Sequence, residues 1–274
     1  MRIGVIGGGD TFAALGIGYD EVPCETPFGA TSAPMRCGRH GSHAIFSMLR
    51  HGGGHKVNAH EVNYRANIWA FQQQQVDLLL GISICGSLDP EVELGTLAIY
   101  DQIIDFTRSR RSTFFDQGSE VRNVDVGEPV CNGTSRPWVI ERVRRAGLGY
   151  VDGGAMVVIE GPRFSTRAES RMFSLLGGRF ITMSAAPEAF LARELGLCYV
   201  PISLVTDHDT AGAQRVTVEL IGNSVAQFRD RVPSAVAALL ADIDAFPPGR
   251  CCCCAGVAGA VPVDRLNLGG KRAG

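Results

Sequence analysis

Hydrophobic residues follow two patterns along this chain. In the first they run on with little polar interruption: Ile3 to Ile6, VDLLLGISI at 76–84 and LCYVPISLV at 197–205. Such runs predict strands buried on both faces, as at the centre of an α/β sheet. Ala155 to Ile159 predicts another strand, and Leu94 to Ile99 with Gln102 to Asp105 a strand pair crossing the sheet edge. Met35 to Gly38 and Ala44 to Leu49 predict a hairpin that bends at 39–42. Pro201 has no N–H to give a ladder, so it predicts a bulge or irregular pairing inside its strand.

In the second pattern apolar positions recur every three or four residues. Val62, Ala66, Trp69 and Ala70 predict one buried helix face over 60–75. Asn63 and Asn67, one turn apart on it, read as polar packing contacts. Pro137 to Ala146 predicts a basic helix with a solvated face. Thr166 or Ser165 is placed to cap a helix beginning TRAESRMF. Pro187 suits the first turn of a short helix, with Glu188 at its positive end, Leu191 and Leu195 on one face, and Gly196 as C-cap. Residues 108–130 are polar and irregular and predict a long surface loop.

Strands therefore alternate with helices, the mark of an α/β domain whose ligand sits at the carboxyl ends of the strands. Those ends are small or polar: Gly7–Gly9, Arg50–His51, Ser83–Ser87, Glu160–Ser165, Met183–Ser184 and Thr206–Asp209. Gly7–Gly9 reads as a tight turn or as a loop letting a phosphate approach the backbone. Arg50 and His51, beside flexible glycines, suit an oxyanion or a polar surface loop about equally. In the oxyanion reading, guanidinium and imidazolium both supply charged donors. Asp207 and Asp209 are two apart, so on an extended strand they share a face while His208 points away. That alternation makes a metal site of the three residues the weakest reading.

Composition narrows the class. The 274 residues are 45% apolar and 20% charged, with formal net charge −2, ordinary values for a globular protein without an electrostatic footprint for nucleic acid or an anionic membrane. No run approaches the ~20 apolar residues of a membrane span, and the N-terminus lacks a signal-peptide pattern, so a cytoplasmic location is expected. Five of the nine cysteines are scattered; the other four, Cys251 to Cys254, are consecutive and lack zinc-ligand spacing. They lie in a Gly-, Ala- and Pro-rich tail, 247–274, expected to be disordered beyond a domain of 1–246. No Walker, Gly-x-Ser-x-Gly or His-Glu-x-x-His motif is present.

The chain resembles the S-methyl-5′-thioadenosine phosphorylases of the trimeric purine nucleoside phosphorylase superfamily. The segments that carry the likeness are GVIGG ending at Gly8, TPFG at 26–29, RHG at 50–52 and VNYRANIWA at 62–70. They continue with CGSL at 85–88, DQIIDFT at 101–107, TFFD at 113–116, EGPRFSTRAES at 160–170, MSAAPEAFLARELGLCY at 183–199 and TDHD at 206–209. The resemblance implies a single domain with a mixed central β-sheet flanked by helices. It also implies phosphorolysis of a purine nucleoside in a homotrimer, with inorganic phosphate as co-substrate and no cofactor or metal.

It further implies roles. Arg50, His51, Ser83, the Ile84 backbone, Ser184 and Gly9 would line phosphate. Met183 would lie under the ribose, Phe164 and Ser165 against the base, Val218 at the 5′ substituent, and His55 along the nucleoside pocket. Asp207 would protonate N7 while Asp209 accepts from N6–H, a division that favours a 6-aminopurine. The chain departs from the family pattern at Gly9-Asp10, where no hydroxyl follows the glycines, at Ser83 and Ser184, which replace threonines, and at Asn123. The alternatives are a 6-oxopurine or methylthioinosine phosphorylase, and a nucleoside-binding homologue with impaired phosphate turnover.

Overall fold

The computed structural model describes residues 1–9, 11–116, 124–209 and 216–247. The hairpin's partner explains how the chain starts. Strand β1 (Arg2–Gly7) pairs in parallel with the second hairpin strand, and α1 (Thr11–Leu15) and β2 (Tyr19–Val22) precede β3 (Met35–His40) and β4 (His43–Leu49). Neither α1 nor β2 was legible in the pattern; α1 has one buried residue, Phe12, and β2 none.

Helix α2 (Tyr64–Gln73) is shorter than its periodicity predicts because Asn63 caps it, accepting from the Ala66 N–H. Asn63 also donates to the Phe28 and Ala30 carbonyls, and Asn67 exchanges bonds with Ser32, so both asparagines tie α2 to the 28–32 turn.

Strand β5 (Leu78–Ser87) runs three residues past its expected end, through Cys85-Gly86-Ser87. Strands β6 (Leu97–Ile99) and β7 (Gln102–Phe106) do not pair with each other, contrary to expectation. After α3 (Ser135–Arg145) come β8 (Tyr150–Asp152) and β9 (Ala155–Ile159); β6 pairs with β8, and β7 with β9. Helix α3 keeps Arg144 and Arg145 on a solvated face and buries Trp138, Val139 and Val143 on the other, and Arg136, just before the expected start, donates to the Ile99 carbonyl. Helix α4 (Arg167–Leu175) opens on a full capping box of Thr166 and Glu169. Then follow β10 (Gly178–Thr182), α5 (Glu188–Glu194), β11 (Cys198–His208), α6 (Val218–Gln227) and α7 (Arg231–Ala241). Gly196 closes α5 with φ +67°.

The eleven strands among the described residues form one mixed sheet, with β5 and β11 at its centre. Alternate residues feed cores on opposite faces: Ile3, Leu78, Leu80, Val200 and Ile202 meet α3 and α7, while Ile6, Leu79 and Tyr199 meet α2 and α5. Pro201 sits in regular register against Gly81. β11 meets β6 only at Ser203 and Leu204, so the other edge at Pro201 demands no donor. The irregularity falls instead between Val205 and Asp207, where Thr206 is extra against β5. Among the described residues no helix is long and apolar enough to cross a membrane. Asp10, Asn123 and the Cys251–Cys254 tail lie outside the described residues.

Candidate active site

The pairing of β5 shows where a cavity opens. β11 covers one edge along the whole strand. On the other edge β1 pairs with Leu78–Gly81, and β10 arrives antiparallel to pair with Gly86 and Ser87. Among the described residues, Ile82 to Cys85 have no strand partner on that edge. Ile84 is accordingly 42% exposed in a central strand. The ends of β1 (Gly7–Gly9) and β10 (Met183, Ser184) continue from the strands bordering this gap, and the end of β4 (Arg50, His51) continues from the next strand beyond β1.

Arg50 is fully buried. Its Nε donates to Glu188 Oε2 at 2.8 Å, Nη2 to Glu188 Oε1 at 3.0 Å and to the Ile6 carbonyl at 3.1 Å, and Nη1 to the Ile82 carbonyl at 2.6 Å. Burial works against this charge, but the Glu188 carboxylate outweighs it and holds the guanidinium pKa above its usual value. Among the described residues, one of the five guanidinium hydrogens, on Nη1, has no acceptor. Glu188, noted from sequence only as a residue at a helix start, is the partner that orients Arg50.

His51 corrects one expectation. Its Nδ1 lies 3.0 Å from the Val57 carbonyl and so carries the proton. Burial, Arg50 and His55 push its pKa down to about 4. At neutral pH the ring is therefore a neutral imidazole with an Nε2 lone pair, not an imidazolium donor. His55 is exposed at φ +55° and stacks on His51 with ring centroids 4.2 Å apart.

Along the gap, Ser83 Oγ lies 2.6 Å from Ser203 Oγ, and the Ile84 carbonyl accepts from the Thr182 hydroxyl at 2.9 Å. Ser184 is buried, with its N–H directed to Thr182 Oγ1. A Cβ at Gly9 would meet nothing within 4 Å, so packing inside the chain does not demand that glycine.

The acidic pair occupies the far end of β5. A Cβ on Gly86 would come within 2.8 Å of Asp207 Oδ2 and 3.3 Å of the Asp209 Cβ, so both acids crowd the space this glycine leaves open. His208 turns away and its Nε2 meets the Val92 carbonyl at 2.8 Å, which removes the metal reading's third ligand. Asp209 accepts on both oxygens, from Ser165 and, at 2.9 Å, from Ser170, while the two serines lie 3.0 Å apart. Asp207 is buried; Oδ1 accepts from Thr206 at 2.8 Å, and Oδ2 has no hydrogen-bond partner among the described residues. Burial raises its pKa, the Thr206 bond opposes that, and Asp209 adds to it. Asp207 is thus a buried acid with a raised pKa and, among the described residues, one oxygen without a partner.

Met183 follows β10 directly, and Phe164 precedes Ser165 in the chain. Met183 Sδ would lie 2.7 Å from a Cβ at Gly161, which sits at φ +71° in the segment leading to Phe164. Val218 is 77% exposed at the start of α6 rather than buried with the cluster.

Arg110 was missed in the sequence because its loop reads as surface, yet its side chain is 1% exposed. It donates to the Glu160 carboxyl at 3.3 Å and to the carbonyls of Ile159 at 3.2 Å, Glu160 at 2.7 Å and Ala186 at 2.6 Å. Its last bond goes to the Tyr64 hydroxyl at 3.0 Å. All five N–H groups are engaged. The residue staples the segment before Phe164-Ser165 to the one after Met183-Ser184.

Comparison with known proteins places the chain in a family. Residues 2–241 match the phosphorylase superfamily model. The S-methyl-5′-thioadenosine phosphorylase of Mycobacterium tuberculosis is 44% identical over 212 residues, 77% of each chain. The 6-oxopurine nucleoside phosphorylase of Pyrococcus furiosus is 36% identical, covering 92% of this chain and 96% of the relative. A mutant adenosine/methylthioadenosine phosphorylase from Schistosoma mansoni in complex with methylthioadenosine superposes with TM-score 0.82 at 31% identity, over 90% of this chain and 92% of that one.

Proposed function

The chain belongs to the phosphorylase superfamily, and from that premise we propose that it cleaves S-methyl-5′-thioadenosine to adenine and S-methyl-5-thioribose 1-phosphate. The observation that carries the 6-amino preference is the division of labour between the two acids beside Gly86. Asp207, with its raised pKa and free Oδ2, donates to N7 as the C1′–N9 electron pair moves onto the departing base. Asp209, fixed by Ser165 and Ser170, accepts from the exocyclic N6–H. A phosphate oxygen forms the new bond to C1′, so the proton on the base comes from Asp207 and the charge on the sugar is taken up by phosphate.

At the gap in the sheet, phosphate receives the remaining Arg50 Nη1–H and the hydroxyls of Ser83 and Ser184, with the Ile84 backbone and Gly9 closing the site. Neutral His51 accepts from a protonated phosphate oxygen through Nε2. Met183 lies under the ribose, Phe164 beside the base, and His55 and Val218 toward the 5′ end. This reading makes the protein a cytoplasmic homotrimer in purine and methionine salvage, with no resident cofactor.

The 36% identity to a 6-oxopurine phosphorylase favours a second reading. Against it stands the chemistry of the acids: O6 is an acceptor and meets an ionised carboxylate with repulsion. Base release from methylthioadenosine, methylthioinosine, adenosine and inosine at saturating phosphate separates the two. The proposal expects methylthioadenosine to lead in kcat/KM. A lead for methylthioinosine or inosine would overturn it.

A further inference from the structure

The Ser83–Ser203 contact assigns a role to a residue outside the pocket. The two hydroxyls face each other across the β5–β11 ladder, where Ser83 is in register with Ser203, and their oxygens are 2.6 Å apart. Ser203 is completely buried, whereas Ser83 is half-buried beside exposed Ile84. Two hydroxyls thus lead from the buried ladder to the open stretch of β5.

A hydroxyl carries one proton and two lone pairs. A fully ionised phosphate oxygen can only accept, so Ser83 must spend its proton outward to bind one. Its oxygen then needs a donor from within, and Ser203 is the group in place to supply it. Serine lacks the β-methyl that restricts χ1 in threonine, so its rotamer must be held by something else. We infer that Ser203 is a positioning residue that fixes the Ser83 hydroxyl, with its proton directed into the gap, through the Ser203–Ser83 hydrogen bond. This rests on the reading of Ser83 as a phosphate ligand.

The test is a cycle of Ser203→Ala, Ser83→Thr and the double variant, followed by phosphate KM, nucleoside KM, kcat and melting temperature. Ser203→Ala is expected to raise phosphate KM roughly three- to tenfold, the loss of about one hydrogen bond, with nucleoside KM unchanged. In the Ser83→Thr background the same substitution should raise phosphate KM less than twofold, because the threonine methyl supplies the restraint. An equal effect in both backgrounds, equal rises in both KM values, or no change would overturn the inference. If Ser203→Ala melts markedly lower, Ser203→Thr is compared with Ser203→Val, which match in size and differ in the hydroxyl. Phosphate KM must then be higher in the valine variant, and equality overturns the assignment. Failure of the underlying reading looks different: wild-type base release would not depend on phosphate at all.

Discussion

The two ends of the pocket handle buried charge in opposite ways. At the base end, Asp207 is an acid with no ion pair among the described residues; burial raises its pKa, and one oxygen has no hydrogen-bond partner among them. At the phosphate end, Arg50 is closed off by Glu188 and two carbonyls, and His51 is kept neutral. The first end stores a group whose proton is worth delivering. The second is nearly charge-balanced, so under the proposed function phosphate binding there relies on placed donors more than on excess positive charge. Chemistry and geometry are divided between them.

The sharpest way to break this contrast is Asp207→Asn. It removes the transferable proton, and kcat should fall by ~10²–10⁴. Stability should move the other way. An acid whose folded pKa is raised opposes folding once it must ionise, above its unfolded value, so the ligand-free Asp207→Asn variant should melt higher than wild type at neutral pH. An unchanged kcat would refute the acid role, and a lower melting temperature would refute the cost assigned to its burial.

Glu188→Ala should give the next largest effect, since it leaves Arg50 buried without its counter-charge. Denaturant unfolding should show a loss of about 3–5 kcal/mol. Replacing Arg50 and Glu188 together with Met and Leu should recover most of that stability while abolishing phosphate-dependent turnover. Recovery of both, or of neither, would count against the positional role given to the pair.

Arg110 joins the two ends, so Arg110→Lys should depress kcat/KM for nucleoside and phosphate alike, on the order of tenfold each. A loss confined to one substrate would mean that it serves one end only.

The smallest effect is a pH dependence. The His51 pKa falls from 6.5 unfolded to about 4 folded, so between those values the unfolded chain binds more protons. His51 therefore contributes stability that is complete above pH 6.5 and is lost as pH falls toward 4. Melting curves of His51→Gln over that range should be flatter than wild type; parallel curves would contradict the neutral assignment.

Local patterns carried much of this in the sequence. The apolar runs located β1, β5 and β11, the Thr166 cap located α4, and two-residue spacing put Asp207 and Asp209 together. Long-range pairing was not legible. Nothing near Arg50 indicates that Glu188, 138 positions on, will neutralise it, and a polar stretch around Arg110 looks like surface until its acceptors are gathered from Tyr64, Glu160 and Ala186. The gap along Ile82–Cys85 depends on two strands meeting end to end, which no periodicity encodes. Pro201 misled because the cost of its missing donor depends on whether a neighbour occupies that edge.

The central claim is that phosphate, not water, displaces the base. The most direct measurement is the stoichiometry of adenine released from methylthioadenosine against radiolabelled phosphate incorporated into sugar phosphate. The account predicts one phosphate incorporated per adenine and no release when phosphate is omitted; adenine release without incorporation would contradict it.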